Sequence, residues 1–192
     1  MKADQGENLL SRAVIAFLSL AAAATVIAGC SAGEVTRSDY RASTGEVCAK
    51  YEKVIEADQR KISRLSAQSF RNPEPFVKVV RQFQRDWDEF VAAMKAVDRP
   101  SADEAQLDRF YAALSVSQDR LADLATAVDQ LPGLVEDARS VQQSQNVADA
   151  RALIRRANEV QSEVRQTEIG LQASIDRVQR IIDGYPGLAG CR

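Results

Sequence analysis

The chain has 192 residues and a formal net charge of −2, with 27 acidic against 25 basic side chains and no histidine. A nearly neutral balance provides no electrostatic basis for binding nucleic acid. The lack of histidine removes the commonest general base and the commonest metal ligand. The length fits a single domain, and the abundance of Ala, Leu, Val, Gln, Arg and Glu is typical of helical proteins.

Residues 13–29 form an uncharged, mostly apolar run that follows Lys2 and Arg12. This is the layout of a secretory signal peptide, and the run is shorter than the roughly 20 apolar residues of a transmembrane helix. Its end, Ile27-Ala28-Gly29-Cys30, resembles the bacterial lipobox. The resemblance implies that residues 1–29 are cleaved and that Cys30 carries lipid in an extracytoplasmic, membrane-anchored lipoprotein. An uncleaved anchor, or an ordinary signal peptide with an incidental cysteine, is the alternative.

The cysteines Cys48 and Cys191 remain once Cys30 is assigned to lipid. Disulfides form in exported proteins, so we predict a Cys48–Cys191 disulfide, with two separate free thiols as the alternative. Residues 30–43 lack apolar periodicity and are expected to form a flexible tether. Residues 44–192 are expected to form one helical domain.

The first predicted helix begins near Ser43, because Ser43-Thr44-Gly45-Glu46 matches a capping box. Apolar residues then recur every three or four positions, and Asp58 interrupts this stripe. The second helix follows Asn72-Pro73, with Asn72 as its cap. Its apolar face, from Phe76 to Val97, carries the single tryptophan and three of the six phenylalanines, so it is the expected centre of the core.

The third predicted helix follows a second capping box, Ser101-Ala102-Asp103-Glu104, and runs to about Gln130. Pro132-Gly133 stops it. Residues 134–146 are ambiguous. They form either a short helix of their own, with Asn146 capping the next helix, or the first part of one continuous helix.

The last predicted helix is clear from Val147 onward and ends at Gly184 and Pro186. Its apolar residues alternate steps of four and three, which favours the shallow packing angles of helix bundles. Thr167 or Glu168 interrupts the stripe, and we expect this position to face Asp58.

These elements predict an all-α fold, an antiparallel up-down-up-down four-helix bundle closed by the Cys48–Cys191 disulfide. A disulfide requires Cα atoms within about 7 Å. The start of the first helix and the end of the last helix share a pole only when the number of antiparallel helices is even. The cysteine positions therefore agree with four helices.

Short motifs link the chain to a known group. They are Cys48 at the start of the first helix, Pro100-Ser101-Ala102-Asp103 between the second and third helices, and Gly187-Leu188-Ala189-Gly190-Cys191 at the end. In these features the chain resembles a diffuse group of small exported helical proteins and lipoproteins of actinobacteria. The resemblance implies that the two cysteines pair, and it implies no activity.

No residue pattern predicts an enzyme, a cofactor site or a metal site. The clustered carboxylates Asp86, Asp88 and Glu89 are typical of a solvated helix face, and serine and cysteine nucleophiles lack a histidine partner. The cations Lys78 and Arg81, with Arg85 on the same side, either contact anionic headgroups or cell-wall polymer or form a solvated face.

We therefore expect a non-enzymatic protein-interaction or structural module of the cell envelope, bound to the membrane by lipid on Cys30 and to an unknown envelope protein. The expected partner surface is the membrane-distal pole, residues 69–75 and 131–146, including Leu134 and Val135. The alternative is small-molecule or lipid binding in the bundle core, in a cavity lined by Tyr51, Phe83, Trp87, Phe110 and Tyr111.

Overall fold

A computed structural model of the chain describes residues 34–66, 69 and 71–191. The predicted signal peptide and the predicted lipidation site, Cys30, lie outside these residues. The described residues form five α-helices and no strand, which confirms the all-α prediction. The helices are α1 (Arg37–Ser66), α2 (Pro73–Lys95), α3 (Glu104–Val128), α4 (Leu131–Ser144) and α5 (Val147–Gly184). Two short 3-10 helices cover Ser101–Asp103 and Pro186–Cys191.

Helix α1 begins at Arg37, before the predicted start at Ser43. The capping box that forms is Thr36 with Asp39. The Thr36 hydroxyl donates to the Asp39 carboxylate at 2.7 Å, and the Asp39 N–H donates to Thr36 Oγ1 at 3.2 Å. Tyr40 is completely buried and adds a turn to the apolar stripe. The prediction of a flexible tether is therefore wrong for residues 37–43.

The predicted caps of α2 and α3 do not form, although both helices lie close to their predicted bounds. The Asn72 side chain makes no capping hydrogen bond, and prolines in the first turn of α2 mark its start. The Ser101 hydroxyl donates to the Glu34 carboxylate rather than to the first turn of α3. The connection between α2 and α3 is thus tied to the chain that precedes α1.

Residues 131–144 form the separate helix α4, which confirms the short-helix alternative for this stretch and excludes the continuous helix. Gln145 ends α4 in the left-handed conformation, with φ of 51°. Asn146 then caps α5, because its Oδ1 accepts the N–H of Ala148 at 2.9 Å.

The helices pack in a defined order. Helix α1 packs on α2, α2 on α3, and α3 on α5, while α4 lies against α5 and α2. The 186–191 segment packs on α1. One pole, which we call the disulfide pole, therefore contains the starts of α1 and α3, the ends of α2 and α5, and the 186–191 segment. No described helix has the length and apolar character needed to cross a bilayer.

The Cys48–Cys191 disulfide is present, with a Cα–Cα distance of 5.3 Å, so the free-thiol alternative is wrong. It closes a loop with a sequence separation of 143 residues. Beside it, Gly190 approaches the α1 backbone at Gly45. A Cβ atom on Gly190 would lie 2.8 Å from the Gly45 Cα and 3.0 Å from the Arg41 carbonyl oxygen.

Candidate functional site

A polar cluster around the buried carboxylate of Asp103 joins three parts of the chain at the disulfide pole. Both oxygens of Asp103 accept hydrogen bonds from the Arg37 guanidinium at 2.5 Å, and the Tyr185 hydroxyl donates to Asp103 at 2.7 Å. The Arg37 hydrogen bond, followed by that of Tyr185, lowers the pKa of Asp103. Burial and the hydrogen bond to Asp103 raise the pKa of Tyr185 to about 12.

This cluster explains why the short motifs recognised in the sequence lie where they do. Asp103 closes the Pro-x-x-Asp motif, and Tyr185 directly precedes the segment that ends in Cys191. The Asp103 carboxylate and the Tyr185 hydroxyl are hydrogen-bonded within the protein. The motifs therefore form a structural contact between α1, the start of α3 and the C-terminal segment.

A second buried polar group lies between α1 and α2. Asp58 is 2% exposed, and its Oδ1 accepts a hydrogen bond from Lys61 at 2.7 Å, while Oδ2 has no partner. Burial raises the pKa of Asp58, the Lys61 ammonium opposes the rise, and the facing carboxylate of Asp86 adds to it. Asp86 in turn accepts two hydrogen bonds from the Gln82 amide, at 2.9 and 3.0 Å.

The prediction that Asp58 faces Thr167 or Glu168 is wrong, because its charged neighbours are Lys61 and Asp86. The Thr167 hydroxyl donates to carbonyls of its own helix. Burial raises the pKa of Glu168, and Arg165 opposes that rise. Asp58 on α1 therefore lies beside α2, with one carboxylate oxygen unpaired, whereas Thr167 on α5 is hydrogen-bonded within its own helix.

The five residues predicted to line a core cavity are all buried, in two groups. In the first group, the Phe83 and Trp87 rings lie 6.3 Å apart, and Tyr51 packs edge-on against Phe90 at 5.9 Å. The Trp87 N–H donates to Ser117 at 3.1 Å.

The second group lies nearer the disulfide pole, where the Phe110 and Tyr111 rings are 5.3 Å apart. The Tyr111 hydroxyl donates to the Met94 carbonyl at 2.8 Å and lies 2.9 Å from the hydroxyl of Tyr40. The ring polar atoms that a ligand would use are therefore bonded to the protein in both groups. Ligand binding in the core remains a prediction.

Leu134 was predicted to face a partner, but it is 5% exposed and belongs to the hydrophobic core. Helix α4 packs against α2 and α5, and Leu131 and Leu134 are its buried residues. Val135 is half-buried. The apolar periodicity of a short helix identifies its apolar side, but only the position of its neighbours decides whether that side is covered.

Beyond Leu134, the chain forms a two-helix hairpin, residues 135–159, in which no side chain is buried. We call this segment the arm. An ion pair between Arg156 and Asp137 links its two helices. It carries the two most exposed large apolar side chains of the described residues, Val147 at 66% and Ile154 at 60%.

Val147 and Ile154 were not among the predicted surface residues, although the sequence contains a signal for them. They lie seven residues apart, about two helical turns, and Ile154 directly follows the inward-facing Leu153. An apolar residue outside the core stripe of a helix is a candidate for an exposed contact.

The predicted cationic face of α2 is partly neutralised by its neighbours. Arg81 forms an ion pair with Asp129, the residue after α3, and donates to Gln84 at 2.9 Å, and Arg85 donates to Gln82 at 2.7 Å. Within the described residues, no three His, Cys, Asp or Glu side chains are grouped so that they would hold a metal ion.

No family model, curated protein or solved structure matches this chain significantly. The function is therefore argued from the geometry of the chain itself.

Proposed function

We propose that the protein is a non-enzymatic envelope lipoprotein, anchored through Cys30, that binds a protein partner with the arm. In this proposal α1, α2, α3 and α5 act as an up-down-up-down four-helix scaffold, and α4 pairs with the first half of α5. The single observation that carries the proposal is the arm itself, a hairpin of 25 residues without a buried side chain.

A helix pair of this kind contributes little apolar burial to the fold. Isolated helices shorter than about 12–15 residues are marginal in water, and most helices in proteins are stabilised by tertiary packing. The arm has half-buried apolar residues along its own seam, but its outer surface exposes Val147 and Ile154. A partner that covers these side chains would supply the missing burial.

The proposed orientation also favours this role. The start of α1, which follows the predicted anchor, lies at the disulfide pole, and α5 ends there. Helix α5 has 38 residues, so its first residue lies about 57 Å along the helix axis from that pole at 1.5 Å per residue. A lipid on Cys30 would hold the disulfide pole towards the membrane and direct the arm away from it.

Site-specific photocrosslinking in intact cells of the native host tests the proposal. A photoreactive residue at Val147 or Ile154 is expected to crosslink the protein to a partner. The matched control is the same residue at Val116, an exposed apolar position on α3 at 41% exposure. Equal labelling from Val116, or no protein adduct from either arm position, would contradict the proposal.

A further inference from the structure

Helix α5 carries an exposed apolar stripe that continues beyond the arm. Five large hydrophobic residues are exposed in the described part of the chain, and three of them, Val147, Ile154 and Ile169, lie on α5. At 3.6 residues per turn these three positions share one side of the helix. From Val147 to Ile169 the stripe covers 22 helical steps, or about 33 Å along the axis.

The same side of α5 is positively charged. Arg151, Arg155 and Arg165 are exposed and follow the apolar stripe. Arg151 and Arg155 form no ion pair or hydrogen bond with any residue that the structure describes. The Arg165 charge, by contrast, opposes the rise in the pKa of Glu168.

The carboxylates of this part of α5 lie off the stripe. Helical spacing places Asp149 and Glu163 on other sides of the helix and Glu159 just beyond the edge of the stripe, one turn after Arg155. Glu163 accepts a hydrogen bond from Gln130 at 2.9 Å. The stripe therefore combines apolar side chains with two cations, Arg151 and Arg155, that form no ion pair within the described residues.

The apolar side chains and the unpaired arginines together indicate which kind of partner fits the stripe. Apolar residues repeated at helical spacing suit a second helix laid along α5, and unpaired arginines favour carboxylates on that helix. A second copy of the chain docked by the same stripe would oppose arginine to arginine, because an isologous interface brings identical patches together. The charge pattern therefore favours a different protein.

We infer that the outer stripe of α5, formed by Val147, Arg151, Ile154, Arg155, Arg165 and Ile169, docks an amphipathic helix of a partner protein whose apolar residues are flanked by Asp and Glu. This inference rests on the proposed function and specifies the surface and the partner chemistry.

The test uses the full chain with its own leader, expressed in the native host. A photocrosslinking residue replaces Asn158, which is exposed on the stripe, and mass spectrometry identifies the crosslinked peptide. The expected adduct maps to a segment of an envelope protein with acidic and apolar residues at helical spacing. Reversing both unpaired charges, Arg151→Glu with Arg155→Glu, is expected to lower the adduct yield at least about tenfold.

The matched control is Lys78→Glu, which reverses an exposed cation on α2 and should leave the yield unchanged. An unchanged thermal midpoint in the double variant shows that folding is retained, since both arginines are exposed and unpaired. An unchanged yield in the double variant overturns the inference. So does an adduct to lipid, to a second copy of the chain or to the chain itself.

A further position separates the two proposals. Gln143 lies at the tip of the arm, on α4 and off the stripe. A protein adduct from Gln143 without one from Asn158 overturns the stripe and leaves the proposed function standing. No protein adduct from Asn158, Gln143 or the two arm positions tested above overturns both.

Discussion

Gly190 occupies a position where the C-terminal segment and α1 approach each other at backbone distance. A methyl group at this position would lie 2.8 Å from the Gly45 Cα, 3.0 Å from the Arg41 carbonyl oxygen and 3.2 Å from the Gly45 nitrogen. Carbon atoms in contact prefer separations of about 3.5–4.0 Å. Gly190→Ala therefore requires the two backbones to separate by roughly 0.7–1.2 Å.

The segment has little freedom to retreat. The next residue, Cys191, is bonded to Cys48, and Tyr185 is hydrogen-bonded to Asp103 at its other end. The atoms that the new methyl group would meet are all backbone atoms of α1, and none is the flexible end of a side chain. Overpacking of this kind costs about 1–3 kcal/mol, and for a domain of this size each kcal/mol lowers the thermal midpoint by about 2–4 °C.

Gly184→Ala is the matched control. Gly184 is the last residue of α5, and a Cβ atom there meets no atom within 4 Å. Because glycine costs about 0.5–1 kcal/mol relative to alanine within a helix, this variant is expected to be neutral or slightly more stable than the parent. Thermal and urea unfolding of the oxidised domain, followed by circular dichroism, measures both variants.

The expected order of stability is Gly184→Ala at or above the parent, with Gly190→Ala well below it. If Gly190→Ala unfolds at the parent's midpoint with the disulfide intact, the close approach of the two backbones does not exist in solution. The C-terminal segment would then pack on α1 at a greater distance than the structure shows.

Three further predictions concern the disulfide, the buried carboxyl pair and the anchor. Replacing Cys48 and Cys191 together by serine is expected to lower the free energy of unfolding by up to about 5 kcal/mol, because the loop they close is long; urea unfolding of the double variant against the oxidised parent measures the loss, the reduced parent serves as the control that should match the variant, and equal stability of variant and oxidised parent would contradict the prediction. Asp58→Asn is expected to stabilise the domain by about 1–2 kcal/mol at pH 7, since an amide N–H can donate to Asp86 where the charged carboxylate cannot. The folded-state pKa of Asp58 is raised, so its contribution is lost as pH rises above the ordinary carboxyl pKa, and the advantage of the variant should shrink as pH falls towards that value; a gap that widens on acidification would refute the assignment. Cys30→Ala is expected to release the protein from the membrane fraction or leave the leader attached, and immunoblots showing unchanged size and partitioning would contradict the lipobox interpretation.

Local signals accounted for most helix ends. Proline in the first turn of α2 and the Asn146 cap of α5 both act through backbone conformation and hydrogen bonds within a few residues. Such signals can be read without knowing the neighbouring helices. The start of α1 could not be read in this way, because two capping patterns lie seven residues apart, at Thr36 and Ser43.

The choice between those two patterns depends on distant residues. Tyr40 is buried against α3, where its hydroxyl meets that of Tyr111, and Arg37 reaches Asp103. These contacts extend the helix past Ser43, since they exist only when residues 37–43 are helical. Sequence periodicity alone cannot weigh contacts that join residues more than 60 positions apart.

The same distinction applies to the candidate site. Apolar spacing on α4 was visible in the sequence, but α2 and α5 cover Leu134, whereas nothing in the described structure covers Val147 or Ile154. Likewise, the stripe position of Asp58 was visible, but its neighbour Asp86 was not.

The sequence by itself determined that the chain is helical and where most of its helices begin and end, because these properties follow from local backbone preferences. It predicted the Cys48–Cys191 pair only together with the lipobox interpretation of Cys30, and the tertiary structure decided this pairing. The tertiary structure decided which apolar sides are covered, where α1 starts, and which carboxylates meet. Those outcomes depend on the rotation and neighbours of each packed helix, and therefore on contacts between residues far apart in the chain.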